Sequence, residues 1–243
     1  MKFELKYKQF GDCSILVEWP QNINKTILYD ILAFKAKLEN SNFFTIEGLT
    51  HAYASLLITY HRRNFNFSSE LKRIKAIYET LEVKNLPKRH LWKIPVCYDL
   101  SFGIDLEWLS EEKKMSIDTI IETHSSAIYT VYFIGFLPGF LYLGGLHELL
   151  TTPRRASPRL KIKEGAVAVG GAQTGVYPVE SPGGWHIIGN SPICFFDVLK
   201  EAPCFAKAGD AIQFYPVALN DYKEIKTLVN TNTFKIESEE LDD

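Results

Sequence analysis

Apolar and polar residues alternate at the start of the chain, with Phe3, Leu5 and Tyr7 on one side, the period-two mark of a half-buried strand. Gly11-Asp12 supplies a turn, and residues 14–19 read as the returning strand. The period then changes. Ile27, Ile31, Phe34 and Leu38 recur at i, i+4, i+7 and i+11, on one face of a helix that Asn24 is placed to cap. Residues 52–60, rich in Leu, Ile and Tyr, predict another strand. Ser68 or Ser69 is the expected cap of a second helix, with Leu71, Ile74, Tyr78 and Leu81 on one face. The order β-β-α-β-α predicts a small α+β sandwich, its helices on one side of an antiparallel sheet.

The polar, proline-containing run Asn85-Leu86-Pro87-Lys88-Arg89 marks a boundary between an N-terminal α+β domain, 1–88, and a C-terminal, mainly β domain, 89–243. The second domain opens with a strand at 91–98 and a helix at 106–114. Ser116 then caps a helix carrying Ile117, Ile120, Ile121 and His124 at i, i+3, i+4 and i+7, so His124 lies on its apolar face. Further on, 193–198 is apolar, 208–210 is a turn and 211–215 a strand. Many short strands between Gly/Pro turns predict a closed or nearly closed barrel. The acidic end, 237–243, reads as a solvated, frayed tail.

Residues 129–192 hold eleven of the fifteen glycines and six of the eleven prolines. Glycine permits positive φ and proline fixes φ, so this density specifies tight turns. Phe136, Phe140, Tyr142, Tyr177 and Trp185 sit among those turns. Rings of that size need a core or a ligand to cover them, so the stretch is no flexible linker.

Composition narrows the chemistry. A net charge of −2 offers no basic surface to nucleic acid. The apolar runs are far shorter than a membrane span. The first residues lack a signal-peptide core, which places the protein in the cytoplasm. Cys13, Cys97, Cys194 and Cys204 are far apart, with no C-x-x-C spacing, so no metal is expected. Neither G-x-x-x-x-G-K-[ST] nor G-x-G-x-x-G occurs, no serine sits in G-x-S-x-G, and His147-Glu148 fails H-E-x-x-H. Between 129 and 192 there is no aspartate, and Glu148, Glu164 and Glu180 are too dispersed for an acid/base pair. The residues describe a binding module, or one component of an enzyme completed elsewhere.

The candidate site is drawn from the glycine-rich stretch. Arg154, Arg155 and Arg159, pinned by Pro153 and Pro158, suit a carboxylate or phosphate, or else form a salt-bridge cluster. His124 is a candidate acid/base group or a satisfied core histidine; with Arg155 and Arg159 it completes the catalytic candidates. Gln173, Thr174 and Tyr177 offer neutral donors and acceptors for an amide, or caps for their own loop. Trp185, after Gly183-Gly184, is a pocket wall or a core plug.

One ordered set runs through these residues: His124, Tyr129-x-Val131, Gly135-Phe136-x-Pro138-Gly139-Phe140-x-Tyr142-Leu143, Pro153-Arg154-Arg155, Pro158-Arg159, Gly165, Gly171-x-Gln173-Thr174-Gly175-x-Tyr177-Pro178 and Ser181-Pro182-Gly183-Gly184-Trp185. Gly11-Asp12, Ile94-Pro95-Val96-Cys97-Tyr98 and Gly209-Asp210 extend it over nearly the whole chain. The set resembles the family that includes the B component of the bacterial ATP-dependent 5-oxoprolinase, the sporulation-kinase inhibitor of bacilli and allophanate hydrolase subunit 1. That resemblance implies a cyclophilin-like barrel in the second domain. It implies a role, with two other subunits, in hydrolysing 5-oxo-L-proline to L-glutamate with ATP as co-substrate, the chain being inactive alone. It also leaves open an inhibitor that binds a sensor histidine kinase, or a subunit acting on allophanate. The chain departs from the family pattern at Ile104, Leu141, Lys163 and Ser191, and has His186 where arginine usually follows Gly-Gly-Trp. If that position holds an anion, His186 does so only when protonated. In a strand, however, Trp185 and His186 face opposite sides.

Overall fold

The computed structural model describes residues 2–41, 45–82 and 88–241. The chain divides into two compact units, Met1–Pro87 and Lys88–Asp243. The polar run expected to link two domains lies outside the described residues up to Pro87.

The first unit begins with strands β1 (Lys6–Phe10) and β2 (Ser14–Glu18), turned at Gly11, whose φ is +60°. Helix α1 (Lys25–Glu39) starts where Asn24 accepts a hydrogen bond from the Thr26 backbone N–H. Strands β3 (Ile46–His51) and β4 (Ser55–Tyr60) follow, then helix α2 (Phe67–Glu79). The four strands form one antiparallel sheet in the order β1-β2-β4-β3. Ile15 and Val17 of β2 and Leu56, Ile58 and Tyr60 of β4 point into a core shared with Ile27, Ile31, Phe34 and Leu38 of α1 and Ile74 and Tyr78 of α2. Asp30 is buried there, where its carboxylate accepts from the Trp19 indole N–H and the Tyr78 hydroxyl, both at 2.7 Å. A buried charge persists only when partnered in this way.

Two expectations change here. Residues 52–60 are only partly strand, and β3 is an additional one. Gly48 and a register shift between Ile46 and Gly48 break its alternation, so the pattern does not announce it. The second helix is capped by Asn66, which accepts from the Ser69 N–H at 3.0 Å, rather than by Ser68 or Ser69. Asparagine takes the cap, leaving both serines in the first turn.

The second unit runs β5 (Arg89–Val96), α3 (Leu106–Lys113), α4 (Ile117–Ser125), β6 (Ile128–Ile134), β7 (Leu141–Gly144), β8 (Arg159–Ile162), β9 (Ala166–Gly170), β10 (Gln173–Val176), β11 (Ser181–Gly183), β12 (His186–Asn190), β13 (Ala211–Pro216), α5 (Leu219–Asn230) and β14 (Glu237–Leu241). Eight strands form one sheet in the order β12-β9-β10-β7-β6-β13-β5-β14, and β8 and β11 form a separate ribbon. Within the sheet β13 and β5 pair in parallel. The sheet curls far enough for Asn190, ending β12, to exchange both backbone hydrogen bonds with Cys97, just beyond β5. Its inner face carries Ile94, Val131, Leu141, Val167, Val169, Ile188 and Phe214, covered by Leu106, Leu109 and Ile120 from α3 and α4. The fold is thus mixed α and β, built on a large sheet.

The acidic end is not a frayed tail over the described residues. As β14 it pairs antiparallel with β5, and Lys93 holds Glu237 and Glu239 at 2.6 Å each. Its glutamates are exposed, so the composition imitates a solvated tail while the backbone completes a sheet edge. Residues 242–243 lie outside the described residues.

Candidate functional site

The extended segment at Pro153–Arg155 lies beside Gly184–His186. The Arg155 N–H donates to the Gly184 carbonyl at 2.8 Å, and His186 Nε2 donates to the Pro153 carbonyl at 3.0 Å. Neighbouring side chains in extended backbone face opposite ways. One face of this pair therefore carries Arg154 and Trp185, the other Arg155 and His186.

On the second face the organising group is Asp105, just before α3 and 4 % exposed. Arg159 donates to it through both terminal nitrogens, Nη1 to Oδ2 at 2.9 Å and Nη2 to Oδ1 at 2.6 Å. Arg155 Nη1 reaches Oδ1 at 3.4 Å, and the Ile187 N–H donates to Oδ2 at 2.7 Å. The Asp105 N–H donates back to the Ile187 carbonyl at 3.0 Å. This one carboxylate absorbs the charge of two of the three expected arginines, through the fork geometry guanidinium favours. Sequence reading missed Asp105, whose only local signal is an acidic residue before a helix.

His186 is buried on the same face and stacked on Trp108, with ring centroids 4.4 Å apart and planes at 4°. Burial pushes its pKa below the ordinary value, and Arg155 and Arg159 act in the same direction. The Pro153 carbonyl and Asp105 pull it partly back. It is a neutral imidazole facing away from Trp185.

His124 is wholly enclosed. The Thr174 hydroxyl gives its proton to the Ala168 carbonyl at 2.9 Å, so it can only accept from His124 Nε2 at 2.9 Å. Nδ1 then accepts from the Tyr98 hydroxyl at 2.8 Å. Desolvation holds the His124 pKa down to about 3. The imidazole ties α4 to β10 across the core. Gln173 is half-buried, and its Oε1 has no hydrogen-bond partner among the described residues.

The first face forms a pocket of about 290 Å³ lined by Phe136, Phe140, Tyr142, Arg154, Pro158, Tyr177, Pro182, Gly183, Gly184 and Trp185. Trp185 is 4 % exposed and Tyr177 2 %, so both serve as core and wall. Gly183 is dictated by contact: a Cβ there would lie 2.2 Å from the Tyr177 hydroxyl. Phe136 forms the rim, 61 % exposed and at φ +66°. It is the middle residue of a tight turn in which the Leu137 N–H donates to the Gly135 carbonyl at 2.8 Å, a strained conformation for a bulky residue. The Arg154 guanidinium sits over the Trp185 ring, 5.6 Å from its centroid, within cation–π range. Among the described residues it makes no ion pair, and it is the pocket's one charged side chain. Burial raises the pKa of Tyr142 and of Tyr177 above the ordinary phenol value; Arg154 opposes it at Tyr142, and the Trp185 backbone N–H and then Arg154 oppose it at Tyr177, so both hydroxyls stay protonated near neutrality.

The structure thus gathers Arg154, Tyr177, Gly183, Gly184 and Trp185 around one cavity. It places Arg155, Arg159 and His186 behind that wall and His124 and Thr174 in the core, while Gln173 also lies outside the cavity. The cavity can hold a small anion against aromatic faces. Among the described residues, no carboxylate or imidazole lines it to move a proton.

Three comparisons give this geometry a family. A family model described as "Carboxyltransferase domain, subdomain C and D" matches residues 5–206. The B component of 5-oxoprolinase from Bacillus subtilis (strain 168) is 32 % identical over 240 residues, covering 93 % of this chain and 98 % of that protein. The solved chain TTHA0988 superposes with a TM-score of 0.74 at 29 % identity, over 84 % of this chain and 40 % of its own. The urea carboxylase of Kluyveromyces lactis gives a TM-score of 0.84 at 21 % identity, over 98 % of this chain and 24 % of its own, and so shows a shared fold. The chain spans less than half of either solved protein. With the family model covering most of its length, this chain belongs to the carboxyltransferase-domain family, subdomains C and D.

Proposed function

We propose that this chain is a subunit of an ATP-dependent 5-oxoprolinase and holds substrate for chemistry completed by partner subunits. The Bacillus subtilis relative, a 5-oxoprolinase component matched over 98 % of its length, supports the assignment. The observation that carries the division of labour is the pocket's lining among the described residues: one guanidinium without an ion pair, five aromatic side chains and no carboxylate or imidazole able to act as general base. Opening a lactam breaks its C–N bond and adds water, which needs proton transfer at the leaving nitrogen. A pocket without a titratable acid or base near neutrality binds and orients but does not perform that transfer. ATP is then a co-substrate of the assembled complex. The Cys97–Asn190 closure supports reading the second unit as a cyclophilin-like barrel, and the role in a complex goes with a cytoplasmic location.

The test is reconstitution. The purified chain with 5-oxo-L-proline and ATP is expected to release no glutamate, and the mixture with both partner subunits is expected to release it. Turnover by the chain alone would end the division-of-labour reading. An inactive complete mixture would end the 5-oxoprolinase reading.

A further inference from the structure

We propose that the Arg154 pocket is a selective site for a small cyclic amide bearing a single carboxylate, and that it discriminates against the ring-opened product. This deepens the 5-oxoprolinase reading and rests on it for the identity of the ligand, 5-oxo-L-proline.

The fold separates one arginine of the three from the other two. Arg155 and Arg159 are sequestered by Asp105 on the far side of the wall, and the paired backbone at Gly184–His186 holds the segment so that Arg154 emerges on the pocket side. A guanidinium presents a planar fork that a carboxylate matches with two hydrogen bonds. The face of Trp185 fixes its position from below. Around it stand Phe140, Tyr142 and Tyr177, with Gly183 and Gly184 contributing bare backbone. A flat five-membered ring fits between such faces, and a volume of about 290 Å³ is at the lower end of small-molecule sites, about 300–1,000 Å³. The two phenols, kept protonated by their surroundings, carry no charge that would compete for the arginine.

The same inventory predicts what is rejected. Ring opening converts a monoanion into L-glutamate, with two carboxylates and an ammonium. The pocket has one cation, so the second carboxylate would lie against aromatic faces without a cationic partner, at a partial desolvation cost. Among the described residues, no carboxylate lines it to receive the ammonium. The site therefore favours substrate and releases product.

The experiment titrates the full chain with four probes, following tryptophan fluorescence and heat: 5-oxo-L-proline, 2-pyrrolidinone (no carboxylate), cyclopentanecarboxylate (no amide) and L-glutamate. Wild type is compared with Arg154→Ala, whose exposed site leaves folding intact, as thermal unfolding verifies. Wild type is expected to bind 5-oxo-L-proline most tightly. Arg154→Ala is expected to weaken it roughly ten- to a hundredfold, to the level of 2-pyrrolidinone, the loss of one charge-assisted contact. L-Glutamate is expected to bind at least tenfold more weakly than 5-oxo-L-proline. Equal binding of 5-oxo-L-proline to wild type and variant would overturn the site, and equal binding of L-glutamate would overturn the discrimination. If the isolated chain binds nothing while the reconstituted complex turns over 5-oxoproline, the pocket proposal fails and the 5-oxoprolinase reading stands. If binding follows the expected order while the complex is inactive, the pocket stands and the 5-oxoprolinase reading fails.

Discussion

Arg154, Arg155 and Arg159 are near neighbours in the chain and do different work. Arg159→Ala would leave Asp105, 4 % exposed, with the more distant Arg155 as its main counter-charge. Breaking a buried pair from one side costs about 3–5 kcal/mol. Arg159 is itself about a quarter exposed, so the lower end applies. The expected result is a fall in thermal midpoint of roughly 6–12 °C for a unit of this size. Differential scanning calorimetry checks it; an unchanged midpoint with lost ligand binding would return Arg159 to the binding site. His124 makes a separate prediction. Its folded pKa of about 3 lies below the ordinary value near 6.5, so between them the unfolded chain binds the extra proton. Its contribution to stability is complete above pH 6.5 and is lost as pH falls towards 3, at up to about 1.4 kcal/mol per unit. Urea unfolding between pH 6.5 and 5, above most carboxylate titrations, should show this slope, and His124→Gln should reduce it to the part that the likewise depressed His186 contributes, while lowering stability throughout. A wild-type profile already flat there would mean that His124 is not held neutral. The proline-framed arginines and the apolar setting of His124 were legible in the sequence. Their division was not, because it depends on Asp105, some fifty positions upstream, and on the opposite faces of one extended segment.

At the scale of elements, hydrophobic pattern and capping identified α1, α4, β2, β5 and β13, each with an apolar run or face that is buried in the fold. Elements defined by backbone pairing without an apolar face escaped it. β14 is the clearest case: its glutamates face water, and its place is set by hydrogen bonds to β5. Truncation before Glu237 should uncover the β5 edge. The exposed Lys93 pairs contribute little themselves, so the expected loss comes from the ladder and from solvent reaching the edge. Thermal unfolding with light scattering should show a lower midpoint and earlier aggregation. Unchanged traces would make β14 dispensable. The pocket wall has its own element-level test. A Cβ at Gly170 would come within 2.6 Å of the Trp185 ring. Gly170→Ala should therefore displace the indole, shift the tryptophan emission and weaken ligand binding. An unaltered emission spectrum would mean that the wall yields without moving Trp185.

As a whole molecule, on the reading proposed above, this chain supplies the ligand pocket of a shared enzyme and leaves the proton chemistry to its partners. The mixed α and β character of the fold and the glycine-rich location of the pocket could be read from the chain, since turns and aromatics are written locally. Which of the candidate side chains share one cavity could not, because its wall is assembled in the fold from residues 136–142, 154–158 and 177–185. The most direct test is the steady-state hydrolysis of 5-oxo-L-proline by the reconstituted complex containing either wild type or Arg154→Ala. An interaction made equally in the ground and transition states changes KM alone. With Arg154→Ala, KM is expected to rise roughly ten- to a hundredfold with kcat nearly unchanged. An unchanged KM, or a kcat abolished with KM intact, would contradict that reading.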